Sequence, residues 1–368
     1  MTHSRTFRVL FVGWTALAII RPNYSFAQAD DGTAEKPKPV RTIDTGHEKS
    51  PAGFKMALSR DGKILATGGH EGVQVWNTET WQRLHRIEPV WPLIALSPDG
   101  QTLVAGVWTK DRNSGSIEIW SVEKGERLET INAHRGSGGH PYMHHTRAAF
   151  TPDGKLLVTA GALDGILSIW QTDSWTQSRA LGSAVYPWSL AVSPDGSLLA
   201  VSEGKNLETL SLCVWHLMSG RKLQTIKGLD ALNPAPTFSS DGRMLAGGSS
   251  DGKVRIWDAR TGEAKSMLQG AAKEIGRGSV RSLYQEIRCV AFSPDDKLIA
   301  GGDSAGGVTL WDSVSGEVRR KFKYNSVLRP DDVLFCDTRV LVFMPDGKSL
   351  LSGHQNGTIN VWSLEDGN

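Results

Sequence analysis

The sequence predicts an all-β chain folded as a seven-bladed β-propeller of four-stranded antiparallel blades, and three observations carry that prediction. A turn signal recurs seven times, as SRDG (59–62), SPDG (97–100), TPDG (151–154), SPDG (193–196), SSDG (239–242), SPDD (293–296) and MPDG (344–347). After each, an alternating run ends in tryptophan: VQVW, IEIW, LSIW, LCVW, VRIW, VTLW and INVW, at Trp76, Trp120, Trp170, Trp215, Trp257, Trp311 and Trp362. The last unit stops at VWSLEDGN with no fourth strand, while an unmatched strand, PVRTIDTGH, precedes the first.

Each turn joins two apolar runs of period two, the pattern of a hairpin. Consecutive tryptophans lie 42 to 54 residues apart, room for four short strands, which make one blade. A tryptophan that recurs once per unit packs between sheets, so all seven are assigned a structural role. The stray ends follow from edge chemistry. An open ring leaves unpaired strands exposed to aggregation, so Val40–Thr45 is expected to pair with the last strand of the chain and close the ring.

These seven units resemble the WD-repeat (Trp-Asp repeat) β-propeller family over about residues 40–364. Trp257-Asp258 and Trp311-Asp312 keep the dipeptide that names it; elsewhere Asn, Ser, Gln or His follows the tryptophan. The resemblance implies a rigid, non-catalytic platform for proteins or peptides. It also implies a structural tie in which a histidine between blades joins a strand hydroxyl, a loop acid and the blade tryptophan. His134, fourteen residues after Trp120, fits that place with Thr159, Asp164 and Trp170. His47 is similar, with Glu71 in the acid position.

Ahead of the repeats, residues 1–29 read as a secretory signal peptide. Arg5 and Arg8 precede an uncharged, mostly apolar run, Val9–Ile20, and Ala27-Gln28-Ala29 is a cleavage pattern. The run is shorter than the ~20 residues a membrane-spanning helix needs, so export to a periplasm or the exterior is expected, with an uncleaved anchor as the alternative. No stable membrane insertion is expected once the signal is removed. Residues 30–39, DDGTAEKPKP, read as a polar linker and 40–368 as the propeller. The full chain has 41 basic and 39 acidic residues. Without Arg5, Arg8 and Arg21 the balance is 38 against 39, which leaves no basic footprint for nucleic acid. Cys213, Cys289 and Cys336 are scattered and read as small buried hydrophobes, with Cys289–Cys336 as the one pairing worth testing.

Function is expected on one face. Within a blade the strands are a to d in order. The a–b and c–d turns occupy one face, here the bottom, and the b–c and d–a loops the top. Bottom turns keep their length. On top, turn glycine to tryptophan takes 14 positions in blade 1 and 20 in blade 2, and tryptophan to the next turn aspartate ranges from 23 (76 to 99) to 38 (257 to 295). Variable loops on a rigid scaffold are a common way to build a site. Partner-binding candidates are therefore Trp91, Trp108, Arg112, Tyr142, His144, Tyr186, Trp188, Arg288 and Arg339, of residue types rich in interface energetics.

The stretch HRGSGGHPYMHH (134–145) holds four of the ten histidines. With His134 assigned to the fold, His140, His144 and His145 remain. Their H-x-x-x-H spacing suits zinc only on a helix, and GSGGHP breaks helices, so a polar contact loop is expected and no metal. The alternative is an exported propeller enzyme or a metal-dependent site on that loop. No H-E-x-x-H occurs, no catalytic residue is assigned, and no cofactor is expected.

Overall fold

The computed structural model describes residues 38–47, 54–69, 72–88, 90–107, 114–135, 146–161, 164–183, 186–204, 210–227, 235–269, 286–323 and 337–365, all within one compact unit, Lys36–Asn368. The described residues form twenty-eight strands in seven antiparallel four-stranded sheets. Blade 1 is β2 (Lys55–Leu58), β3 (Ile64–Gly69), β4 (Gly72–Asn77) and β5 (Arg83–Ile87). Blade 2 is β6 (Val90–Leu96), β7 (Thr102–Val107), β8 (Ser114–Ser121) and β9 (Glu126–Arg135). Blade 3 is β10 (Arg147–Phe150), β11 (Leu156–Ala160), β12 (Ile166–Gln171) and β13 (Gln177–Ser183). Blade 4 is β14 (Pro187–Val192), β15 (Leu198–Glu203), β16 (Ser211–His216) and β17 (Arg221–Ile226). Blade 5 is β18 (Thr237–Phe238), β19 (Met244–Gly248), β20 (Lys253–Asp258) and β21 (Ala264–Gln269). Blade 6 is β22 (Ile287–Phe292), β23 (Leu298–Asp303), β24 (Val308–Asp312) and β25 (Val318–Phe322). Blade 7 is β26 (Thr338–Phe343), β27 (Ser349–His354), β28 (Thr358–Ser363) and, as its fourth strand, β1 (Arg41–Asp44).

The expected closure is therefore made. Arg41 to Asp44 pair antiparallel with Val361 to Thr358, and the ladder extends outward through Val40 N–H to the Val361 carbonyl. The first strands of all seven blades touch their neighbours in turn, with β26 meeting β2, so they line a central channel.

Why the turn signal folds as it does is visible in its hydrogen bonds. In six blades a Ser or Thr hydroxyl donates to the aspartate two residues on, at 2.5 to 2.7 Å. That aspartate in turn accepts from the backbone N–H two residues further. Such side-chain bonds give the backbone a turn in place of a strand. The glycine that ends the motif has φ near +70° in blades 1 to 5 and 7, and in blade 6 Asp296 adopts the same left-handed conformation (φ 57°).

The bottom c–d turns keep their length by two means. Gly125, Gly220, Gly262 and Gly316 take positive φ, but in blades 1 and 3 Trp81 (59°) and Trp175 (52°) do so. Both indoles pack on an apolar cluster, and that burial offsets the strain of a left-handed bulky residue.

Packing between blades follows one rule. Each tryptophan at the end of a third strand inserts into the apolar layer of the preceding blade. Trp215 of blade 4 packs with Val158, Leu167 and Ile169 of blade 3, and Trp362 with Val308, Leu310 and Phe322 of blade 6. Trp76 of blade 1 packs on Leu351, Ile359 and Val361 of blade 7, so the same contact seals the ring. Six of the seven tryptophans are buried, and Trp120 is half-buried. The core is thus seven interleaved layers.

Candidate functional site

The histidine tie expected in blade 3 is present. Trp170 Nε1–H donates to Thr159 Oγ1 at 2.9 Å, and the same hydroxyl lies 2.9 Å from His134 Nε2. His134 Nδ1 sits 3.3 Å from Asp164 Oδ2. With Nε2 accepting, the ring proton is on Nδ1 and faces the carboxylate, an assignment that rests on the network. Imidazole and carboxylate are almost wholly buried, so this histidine belongs to the fold. In blade 1 His47 Nε2 lies 3.4 Å from Thr67 Oγ1, which accepts from Trp76 Nε1 at 3.0 Å. Glu71 lies outside the described residues.

The other blades solve the same problem differently, and the sequence reading missed how. In blade 7 the histidine comes from β27 itself. Trp362 Nε1–H donates to Ser352 Oγ at 2.8 Å, and Ser352 contacts His354 Nε2 at 2.9 Å. The SGH triplet at 352–354 was the available signal. Asn356 holds its own turn through the Thr358 N–H and hydroxyl. In blade 5 Asp251 takes Arg255 in a two-pronged pair. Blades 2, 4 and 6 have Ala105, Val201 and Gly301 at the tie position itself, where no side-chain hydroxyl is available. Trp120 then donates to Glu118 and Trp311 to the Gln269 carbonyl, whereas the buried Trp215 Nε1 has no hydrogen-bond partner among the described residues.

The channel mouth on the top face is shaped by irregular pairing. In β14, β22 and β26 the register skips one residue, between Pro187 and Ser189, Ile287 and Cys289, and Thr338 and Val340. The skipped residues are Trp188, Arg288 and Arg339. A bulge leaves one residue unpaired and re-aims its side chain, so three predicted site residues share one backbone device. Trp188 Nε1 donates to the Gly204 carbonyl at 3.0 Å. Arg288 Nη2 lies 2.8 Å from Glu286 Oε2, and Arg339 Nη2 lies 3.1 Å from Asp337 Oδ2. Arg288 Nε is 3.7 Å from the same Asp337 oxygen, and Arg339 also donates to Gln355 Oε1 at 2.7 Å. The structure therefore joins Arg288 and Arg339 in one charged network.

Two further cations at this mouth were not singled out by sequence reasoning. Arg147, first residue of β10, donates to the Trp188 carbonyl, and burial lowers its pKa to about 10. Lys55, first residue of β2, is water-accessible yet surrounded by protein, as a channel wall allows. Its pKa falls to about 8 through that enclosure and then through repulsion by Arg147 and Arg339. Pattern could not reveal these two, because only ring closure brings blades 1, 3 and 7 around one opening.

Tyr186 is exposed, with φ of 48°, just before β14. The side chain of Trp91, and Trp108, Arg112, Tyr142, His140, His144 and His145, lie outside the described residues. Cys289 carries a buried free thiol, and Cys336, the partner considered for it, lies outside the described residues. The Cys289 Sγ donates to the Thr338 carbonyl at 3.5 Å, and burial raises its pKa to about 12. No helix among the described residues is long and apolar enough to cross a membrane, and no group of three metal-ligating side chains gathers among them.

At the bottom end of the channel lies an apolar cavity of about 430 Å³, lined by Ala57, Leu58, Arg60, Ala95, Leu96, Pro98, Ala148, Ala149, Phe150, Pro152 and Pro194. It has one charged lining residue and lacks the convergent polar groups that fix a small ligand.

Seven sheets around a channel, with a Trp–Thr–His–Asp tie between blades, define a repeat propeller. Four stretches, residues 125–171, 221–258, 278–312 and 330–363, match the family described as WD domain, G-beta repeat. Two matches run from the fourth strand of one blade to the third of the next, and all four end on a third strand. The chain is 23% identical over 337 residues to the guanine nucleotide-binding protein subunit beta of Oryza sativa subsp. japonica, covering 88% of this chain and 80% of that protein. It is 28% identical over 278 residues to the serine-threonine kinase receptor-associated protein of Gallus gallus, covering 74% and 69%. Periodic tryptophan protein 2 of Arabidopsis thaliana is 24% identical over 246 residues, 66% of this chain, which spans only 24% of that protein. Fold and matches together support a WD-repeat β-propeller.

Proposed function

We propose that the protein is a non-catalytic scaffold that binds a protein or peptide on the top face of the propeller. The observation that carries this reading is the set of three bulges that aim Trp188, Arg288 and Arg339 toward one channel mouth. Bulges disrupt pairing and are retained where a side chain must be re-aimed. Closed blades hold these residues in place before binding, so little ordering entropy is lost on contact. Two relatives bear names of proteins that work by association, a receptor-associated protein and a subunit of a nucleotide-binding protein. We further propose that residues 1–29 direct export and are cleaved; a mature protein whose N-terminus is Met1 contradicts this.

The test is paired affinity capture with the full chain as bait. One variant carries Trp188→Ala, Arg288→Ala and Arg339→Ala. A second carries Arg60→Glu at the bottom cavity. The reading expects a protein retained by wild type and by the bottom variant and lost by the top variant, with circular dichroism showing all three folded. Retention by the top variant with loss from the bottom variant would place binding on the other face and overturn it.

A further inference from the structure

The ligand chemistry of the channel mouth follows from its charge balance, given the top-face reading above. Lys55, Arg147, Arg288 and Arg339 stand at the first or second positions of the innermost strands of blades 1, 3, 6 and 7. Among the described residues the acids of this mouth are Glu286 and Asp337, and both are taken by Arg288 and Arg339. Asp303, deeper in blade 6, is buried and accepts the Ala305 and Gly307 N–H groups. Among the described residues, Arg147 has the Trp188 carbonyl as its acceptor. The Lys55 ammonium meets no acceptor among the described residues and is repelled by Arg147 and Arg339.

A cation held beside other cations without a counter-ion is an unfavourable arrangement. Charges enclosed by protein are ordinarily paired, and among the described residues no acid pairs with Lys55 or Arg147. Arg288 Nε and Arg339 Nε are likewise buried without a hydrogen-bond acceptor among the described residues.

We propose that the channel mouth is a carboxylate-binding site, occupied by an Asp or Glu side chain or the C-terminal carboxylate of a partner's extended segment. Lys55 supplies the ammonium, and Arg147 and Arg339 supply guanidinium N–H groups around it. Four cations gathered at one opening suit one or two carboxylates. A nucleic acid needs a track of cations along its backbone and bases stacked on aromatic side chains, so an acidic peptide is the better match.

The test pans a random dodecapeptide display library on the full chain, then measures selected peptides by fluorescence anisotropy. The expected result is enrichment of peptides carrying Asp, Glu or a free C-terminal carboxylate. Converting that carboxylate to its amide, or Lys55→Met in the protein, weakens binding about tenfold or more, about 1.4 kcal/mol, while Lys55→Arg keeps it. Binding also weakens as salt rises. Peptides that are sensitive to Trp188→Ala, but indifferent to Lys55→Met and to amidation, overturn the carboxylate site and leave the top-face reading intact. Selected peptides unaffected by any of these top-face substitutions overturn both.

Discussion

Thr42 Oγ1 donates to Asn360 Oδ1 at 2.8 Å across 318 residues of chain. Asn360 Nδ2 lies 3.2 Å from His354 Nε2, which contacts Ser352, which accepts from Trp362. The closing strand is thus wired to the inter-blade tryptophan of the blade it completes. Asn360 is buried, and Asn360→Ala removes its hydrogen bonds to Thr42 and His354. The expected cost is about 2 kcal/mol, read as a lower urea midpoint. Deleting residues 38–46 exposes the whole β28 edge and is expected to give aggregates in gel filtration. A monomeric, cooperatively melting deletion would show that closure is dispensable.

The tie residues allow a loss and a gain to be compared. Thr159→Val removes the shared hydroxyl between Trp170 and His134 and should cost about 2 kcal/mol. In blade 4 the equivalent residue is Val201, opposite Cys213, and Trp215 Nε1 is buried without a hydrogen-bond partner among the described residues. Val201→Thr offers that indole an acceptor and should raise stability by about 1 kcal/mol. A lower melting temperature for Val201→Thr would refute the account of blade 4.

Repeats with strict local chemistry were legible, because a Ser–Asp turn and a strand ending in tryptophan are encoded within a dozen residues. Closure was legible too, since a missing strand at one end matched a spare at the other. His134 could be placed from its distance to Trp120. The substitutes were not, because they lie in three dimensions: Trp311 turns to a carbonyl 42 residues away in sequence, and His354 enters from within its own strand. Trp188, Arg288 and Arg339 were identified as residue types, but the bulges that unite them depend on strand register. Lys55 and Arg147 gave no local signal.

Gly301 marks another such substitute. A Cβ there would lie 2.7 Å from Trp311 Cζ3 and 2.9 Å from Cη2, so the indole occupies the space a side chain would need. Gly301→Ala must displace Trp311, which is fully buried and bonded to the Gln269 carbonyl at 2.9 Å. The expected loss is about 2 kcal/mol, measurable as a lower midpoint in urea. Unchanged stability would mean the indole has room to move.

Asp296 replaces the usual turn glycine, and its carboxylate accepts the Ser240 N–H at 2.6 Å and the Asp241 N–H at 3.0 Å from the neighbouring turn. It therefore ties blade 6 to blade 5. Asp296→Gly relieves a left-handed φ, a small gain for Asp, but forfeits two charge-assisted bonds. The net effect should be a loss of about 1 kcal/mol in calorimetry. A more stable glycine variant would reduce Asp296 to a tolerated turn residue.

Acid stability should fall in two steps. His47 is buried, packed edge-on to Phe54 at 5.8 Å, and burial, aided by Arg86 and Arg83, lowers its pKa to about 4. The unfolded chain then binds the extra proton first. Its contribution is complete above about pH 6.5 and declines as pH falls toward 4, by about 3 kcal/mol at most. The turn aspartates act lower. Hydrogen bonds from Ser193 and Ser197 outweigh partial burial and hold Asp195 at about 2, so its contribution is kept above pH 4 and lost as pH falls toward 2. Urea titrations of wild type and His47→Gln between pH 7 and 4 separate the steps. The variant should be less stable at pH 7 and show a shallower decline, with the two curves converging near pH 4. Parallel curves would mean that His47 takes up its proton alike in the folded and unfolded chains, and that burial does not govern its charge.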